Sequence, residues 1–166
     1  MKRSLLFLAL FLVPAALIAE PDKADPKPAP VQPEFEQLKG LVGEWKAMGE
    51  GAQTSTSFEL LAGGSALVER LKPGPGETMV NVYHADGGNV VMTHYCAAGN
   101  QPRYRCSKKG SSLAFTMTDI TGWDKGEPRM TALTVTLVDA DHMNEEWTSE
   151  MNGKSESFTM AFERKK

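Results

Sequence analysis

From residue 43 to residue 164 the chain repeats one pattern: short runs of alternating apolar and polar residues, each closed by glycine, proline, asparagine or aspartate. A period of two sends successive side chains to opposite faces of a strand, so each run buries one face and wets the other. The runs fall at 43–50, 54–61, 65–72, 77–85, 89–97, 103–108, 112–120, 129–138, 142–151 and 155–164. Between them lie turn signals such as Gly63-Gly64, Asp86-Gly87-Gly88, Gly99-Asn100-Gln101-Pro102, Lys109-Gly110 and Asn152-Gly153. Ten short strands joined by hairpins make an antiparallel meander, and closing it into a barrel removes the two edges that a monomer would otherwise expose. Ahead of them Glu34 to Lys39 reads as a short helix stopped by Gly40. The expected fold is all-β: a ten-stranded antiparallel up-and-down barrel with a short N-terminal helix.

The start of the chain carries an address. Met1-Lys2-Arg3 precedes an apolar run from Leu5 to Ile18, broken only by Pro14 and ending at Ala19, which reads as a signal peptide over residues 1–19. The run is shorter than the roughly 20 apolar residues of a spanning helix. No cysteine follows it to carry a lipid. The expected product is periplasmic or secreted, without stable membrane insertion after cleavage. Residues 20–33 hold five prolines in fourteen positions and read as an extended tether, which places the folded domain at 34–166. Without its first 19 residues, which carry Lys2 and Arg3 and no acid, the chain keeps 16 bases against 21 acids, a net charge of −5. That balance excludes nucleic acid as a partner, because duplex binding needs a basic face to displace counterions.

The two C-terminal hairpins can be registered from their turns. Asn152-Gly153 suits a two-residue type I′ turn, which pairs Met151 with Lys154, Trp147 with Phe158, Glu145 with Met160 and Met143 with Phe162. A three-residue loop at Asp139-Ala140-Asp141 pairs Val138 with His142 and brings Leu133, Val135 and Leu137 to the same inner face. Glu145 then sits among apolar neighbours, where an unpaired carboxylate is costly and must shift its pKa or find a partner. Candidate partners are Arg103, Arg105 and Arg129; the alternative is that Glu145 anchors a donor group of a ligand.

The segment from Met92 to Arg105 is the densest in special side chains, with His94, Tyr95, Cys96, Asn100, Arg103, Tyr104 and Arg105. A hairpin turning at Asp86-Gly87-Gly88 with Ala85 facing Asn89 sets His94 opposite Val80, so that if Val80, Val82 and Met92 face inward, His94 and Cys96 do too. A hairpin centred on Gln101 places Cys96 opposite Cys106, and an oxidising compartment then predicts a cross-strand disulfide. A metal site from His94 and the two cysteines has too few ligands, and His84 sits too far along its strand to help. His142 begins a strand beside an acidic turn and reads as surface. The chain holds no nucleophile elbow, phosphate loop or zinc-protease helix. An enzyme using His94 with Tyr95 or Arg105 ranks last, because no spacing enforces a nucleophile and base geometry.

Gly43-Glu44-Trp45 on the first strand, after a short helix and before a meander, resembles the lipocalin and fatty-acid-binding-protein superfamily. The resemblance implies that Arg164 of the last strand packs on Trp45 and closes one end of the barrel. It also implies a small apolar or amphipathic ligand inside, contacted by Leu133, Val135, Trp147, Phe158 and Met160, with Glu145 and His94 as polar anchors and Tyr104 and Arg105 nearby. More specifically, the chain is similar to exported bacterial proteins of the DUF1579-like group, a family without a settled activity, the run from Met92 to Pro102 being its most characteristic stretch. It also resembles nitrobindins through Gly43-Glu44-Trp45 and Gly49-Glu50-Gly51. Those are haem proteins; His94 is the one histidine that fits an axial role even loosely, and it falls mid-chain rather than near the final strands where the resemblance puts the axial histidine, so no cofactor is expected. An alternative is a structural or interaction protein with a packed barrel. Oligomeric state and a hollow or filled interior stay open at this point.

Overall fold

The structure, a computed structural model, describes residues 32–49 and 53–166. The expected signal peptide and all but the last two residues of the tether lie outside the described residues. The elements are α1 (Pro33–Lys39), β1 (Gly43–Ala47), β2 (Ser55–Leu61), β3 (Ala66–Lys72), β4 (Met79–Asp86), β5 (Asn89–Tyr95), β6 (Gln101–Lys109), β7 (Ser112–Thr121), β8 (Arg129–Leu137), β9 (His142–Met151) and β10 (Lys154–Arg164). Each strand pairs antiparallel with its neighbours in the chain, and β1 pairs with β10 to close the barrel. The alternation read from the sequence is the reason: one face of each strand has a core to fill and the other meets water.

One end of the barrel is locked. Trp45 and Arg164 stand opposite each other across the β1–β10 seam. The guanidinium lies 4.1 Å from the centre of the Trp45 ring. Its nitrogens donate to the carbonyls of Val42 at 2.7 Å, Gly40 at 2.8 Å and Ala140 at 2.9 Å. One side chain thereby ties the end of α1, the start of β1 and the β8–β9 loop to the last strand. Trp45 is buried and gives its indole N–H to Leu41 O at 2.8 Å. Gly43 is required here, since its φ of 131° suits glycine and a Cβ would lie 3.0 Å from an Arg164 nitrogen. α1 covers this end by burying Phe35 and Leu38.

The two C-terminal hairpins adopt the register their turns dictate, with Met151 on Lys154, Trp147 on Phe158, Glu145 on Met160 and on Val135, and Leu133 on Trp147. Two other hairpins differ from expectation. Gly87 and Gly88 both take positive φ, 54° and 94°, and form a two-residue turn that pairs Asp86 with Asn89. The shift of one residue turns Asn81 and Tyr83 into the barrel in place of Val80 and Val82, and sets His94 opposite Asn81. The β5–β6 turn is centred on Ala98 rather than Gln101, with Cys96 N donating to Asn100 O. Gly99 at φ 85° makes that bend possible, and Gln101 and Pro102 belong to β6.

The disulfide expectation is overturned by that turn. Val91 pairs with Arg105, so Cys106 falls level with Val90, six residues from Cys96 and about 20 Å away at strand rise. Both thiols are free, and burial pushes that of Cys106 up to about 11. The interior between the two ends is occupied by Trp45, Tyr83, Tyr104, Phe115, Trp147 and Phe162, all buried, so the barrel is filled through most of its length.

Two predictions follow from these contacts. Arg164→Ala should cost about 3 kcal/mol, because three carbonyls lose a charged donor and Trp45 loses its cover; the urea midpoint of the purified domain measures it. Thiol titration of denatured, unreduced protein should give two reactive thiols per chain, and none if the cysteines were bridged.

Candidate functional site

The end away from α1 is open and is shaped by the rims of β3, β4, β5, β8, β9 and β10. Leu71, Pro73, Met79, His94, Met130, Trp147, Phe158 and Met160 line a pocket there of about 50 Å3. Four of the expected ligand contacts, His94, Trp147, Phe158 and Met160, come together in it. The outer half of β10, Lys154–Thr159, is exposed on both faces, which leaves Phe158 44% exposed over the mouth. Leu133 and Val135 are buried deeper in the core. Tyr104 also faces inward but is committed, giving its hydroxyl proton to Met130 O at 2.7 Å.

Arg105 is on the outside of the barrel, near Asp86, and is not part of this site. Arg103 pairs with Asp119 on the outer surface, and Arg129 pairs with Glu150 at 2.7 Å while lying over Trp123. None of the three arginines expected as partners reaches Glu145. His84 and Tyr95 are exposed, and His142 pairs with Asp139 at the surface.

What meets Glu145 is a second buried carboxyl, Glu69 on β3. Glu69 Oε1 accepts from Thr56 Oγ1 at 2.8 Å, and Glu69 Oε2 accepts from Asn81 Nδ2 at 2.7 Å and Tyr83 OH at 2.8 Å. Glu145 Oε2 accepts from the Trp147 indole at 3.1 Å, and Oε1 has no conventional donor among the described residues. The two carboxyls are close neighbours, and both residues are completely buried. Two ionised carboxylates so placed would repel each other, and a proton on one of them relieves that repulsion. Three donors converge on Glu69 and one on Glu145, so the charge resides on Glu69 and the proton on Glu145. Burial first, then the charge of Glu69, holds the Glu145 carboxyl well above the usual carboxylate range.

The network continues to the mouth. Asn81 gives its amide N–H to Glu69, so the Asn81 oxygen is the atom presented to His94 Nδ1, at 2.6 Å. An oxygen acceptor there requires Nδ1 to carry the proton, which leaves Nε2 as a lone-pair acceptor. Nε2 is buried and without a partner among the described residues. The imidazole stacks at a tilt on Trp147, ring centres 5.0 Å apart, and desolvation by burial pushes its pKa down to about 4. The ring is therefore neutral at neutral pH.

The sequence reading missed Glu69, Thr56, Asn81 and Tyr83. Glu69 was detectable, since it alternates with Leu67 and Leu71 on one face of β3, while the opposite face carries Arg70 and Lys72 beside Ala66 and Val68. Asn81 and Tyr83 were lost to the one-residue register difference. As to the haem that the nitrobindin resemblance suggests, His94 Nε2 has the right donor chemistry. The space beside it does not fit a macrocycle, being far below the roughly 300–1,000 Å3 of small-molecule sites. Among the described residues no group of three or more histidine, cysteine or acidic side chains stands as a metal cluster.

The pH dependence of stability separates the two titrating groups. Glu145 is raised when folded, so its contribution is complete below the ordinary glutamate value of 4.5 and is lost as pH climbs toward the folded value. His94 is lowered, so its contribution is present above 6.5 and is lost as pH falls through about 4. Glu145→Gln should preserve the contact to Glu69 through its amide and flatten the decline on the alkaline side. Glu69→Gln should destabilise more, because its amide faces donors. Urea unfolding across pH 3 to 10 for the three proteins checks this.

No family model matches the chain, and no curated protein matches it. Among solved structures, the chain is similar to that described as "Crystal Structure of Rv2717c from M. tuberculosis", with a TM-score of 0.52 and 14% sequence identity over 82% of this chain and 99% of that one. At that identity the likeness is one of fold, and the fold of this chain is a closed ten-stranded antiparallel barrel.

Proposed function

We propose that the chain is an exported, lipocalin-like binding protein that takes a small apolar or amphipathic molecule at the open mouth of the barrel rather than in a hollow interior. The observation that carries this reading is the buried, unpartnered Nε2 of His94 beside a pocket otherwise lined by Leu71, Pro73, Met79, Met130, Trp147, Phe158 and Met160. A buried acceptor without a partner costs free energy that a ligand donor recovers. The methionines around it are flexible, and they let the mouth adjust to its occupant. Phe158 offers a partly exposed aromatic surface along which an apolar chain can run outward. Glu145 lies in the interior beside Glu69, accepts from Trp147 and does not line the pocket, so its part is to support the buried polar cluster behind His94 rather than to touch the ligand. Export rests on residues 1–19, and membership of the DUF1579-like group rests on the run from Met92 to Pro102.

The filled interior favours a second reading, a structural or interaction protein that works through its outer surface. Native mass spectrometry of protein purified from its export compartment, before and after denaturing extraction, separates the two. The binding reading expects a small-molecule adduct that disappears in Met130→Trp, where the larger side chain fills the mouth. A bare chain in both proteins, with no uptake of added short-chain amphiphiles, would favour the surface reading.

A further inference from the structure

The outer wall of the barrel holds a second recess, which shares no lining residue with the mouth. Its geometry points to a site for the phosphate group of a phosphate monoester on the outward face of β1, β2 and β3. Thr56 and Phe58 of β2 are buried, so Ser55 and Ser57 point outward, as do Arg70 and Lys72, which alternate with the buried Glu69 and Leu71 of β3. Ser57 lies between Glu44 of β1 and Arg70, and Ser55 lies between Lys46 and Lys72. Two short side chains between rows of long ones leave a trough.

Glu44, Ser55, Ser57, Arg70, Lys72 and Lys165 line that trough, a volume of about 90 Å3. This is roughly three times the ~30 Å3 share of one water in the liquid. The two serines stand two residues apart on one face, roughly 7 Å at strand rise. One tetrahedral oxyanion bridges that span by accepting a hydroxyl bond of about 2.7 Å at each end. Each serine has a cation as its neighbour on β3. The acids of this face are already answered: Glu163 pairs with Lys46 at 3.0 Å, Glu44 with Lys165 at 3.4 Å and Glu59 with Arg70 Nη1 at 2.9 Å. Lys72 is left over, since none of these acids pairs with it. The formal charges lining the trough are three positive and one negative, in a chain whose net charge is −3. A local excess of positive charge on an acidic protein draws an anion.

The donors select the kind of anion. Hydroxyls from β2 and cations from β3 approach from different sides, so the occupant must offer acceptors in several directions. A carboxylate has two oxygens in one plane, whereas a phosphate ester presents three around a tetrahedral centre. Arg70 spends Nη1 on Glu59 and keeps the rest of its fork for two of those oxygens, and Lys72 adds a compact charge. Water reaches the trough, which screens these bonds and sets a modest affinity, in the millimolar range. The esterified part extends away from the wall, so the same chemistry accepts a soluble phosphate ester or the head group of an acidic phospholipid.

The test follows the backbone amide resonances of Ser55 and Ser57 in the full chain, in phosphate-free buffer at low salt. Inorganic phosphate should move both amides in the millimolar range, bind more tightly than acetate, and lose affinity as sodium chloride is raised. Lys72→Gln changes an exposed side chain, so it should leave the urea midpoint in place while lowering phosphate affinity about fivefold. Glycerol 3-phosphate and vesicles of phosphatidylcholine, with and without phosphatidic acid, distinguish the sources. Lys72-dependent retention on the phosphatidic acid vesicles assigns a lipid head group, and binding of glycerol 3-phosphate without retention assigns a soluble ester. Unmoved Ser55 and Ser57 amides, acetate binding as tightly as phosphate, or unchanged affinity in Lys72→Gln would overturn the proposal. None of these outcomes bears on the mouth, whose occupant is read by mass spectrometry.

Discussion

Two carboxyl groups buried side by side in a closed barrel, one of them holding its proton, organise the polar half of this molecule. Glu69 and Glu145 come from β3 and β9, strands distant in sequence that meet only because the meander closes. Two ionised carboxylates in that position would repel each other, whereas a proton on Glu145 removes the repulsion. Thr56, Asn81, Tyr83 and Trp147 are held in place by aiming their donors at the pair. Asn81 passes the constraint on to His94 and fixes which ring nitrogen carries its proton. The chemistry at the mouth is thus set from the interior.

The two ends of the barrel divide the work. Arg164, stacked on Trp45 and bonded to three carbonyls, makes the α1 end rigid with groups that nearly all find partners. At the other end methionines line the wall, Phe158 stands half in water, and the buried Nε2 of His94 lacks a partner among the described residues. A barrel that is filled between a locked floor and an unfinished mouth has little room for a large guest. It retains a place for a small one.

Much of this was legible in the chain. Ten alternating runs give ten strands, and Gly43, Trp45 and Arg164 meet as the superfamily resemblance implies. The last two hairpins could be registered residue by residue because Asn152-Gly153 and Asp139-Ala140-Asp141 each determine a loop length. Where the turn was ambiguous the reading slipped. Gly87-Gly88 makes a tighter turn than a symmetric reading about Gly87 allows, and one residue of slip exchanges the inner and outer faces of β4. Pro102 has the weight of a turn residue in sequence, yet it sits in β6 beyond the last β5–β6 pair, Thr93 with Arg103, so the true bend at Ala98 was displaced and Cys96 was wrongly set against Cys106. Glu145 was placed correctly on the inner face, but its partner was sought among arginines, the ordinary answer for a buried carboxylate. A carboxyl that answers another carboxyl leaves no signature in local sequence, because both residue types are acidic and 76 positions separate them.

The proton on Glu145 is most directly observed by infrared spectroscopy of the folded protein in the carboxylic-acid C=O stretching region. At neutral pH the account predicts a protonated-carboxyl band that persists well above the pH at which ordinary glutamates ionise and is absent from Glu145→Gln. Absence of that band from the unmutated protein at neutral pH would show both carboxyls ionised, and the arrangement described for Glu69, Asn81 and His94 would then be wrong at its root.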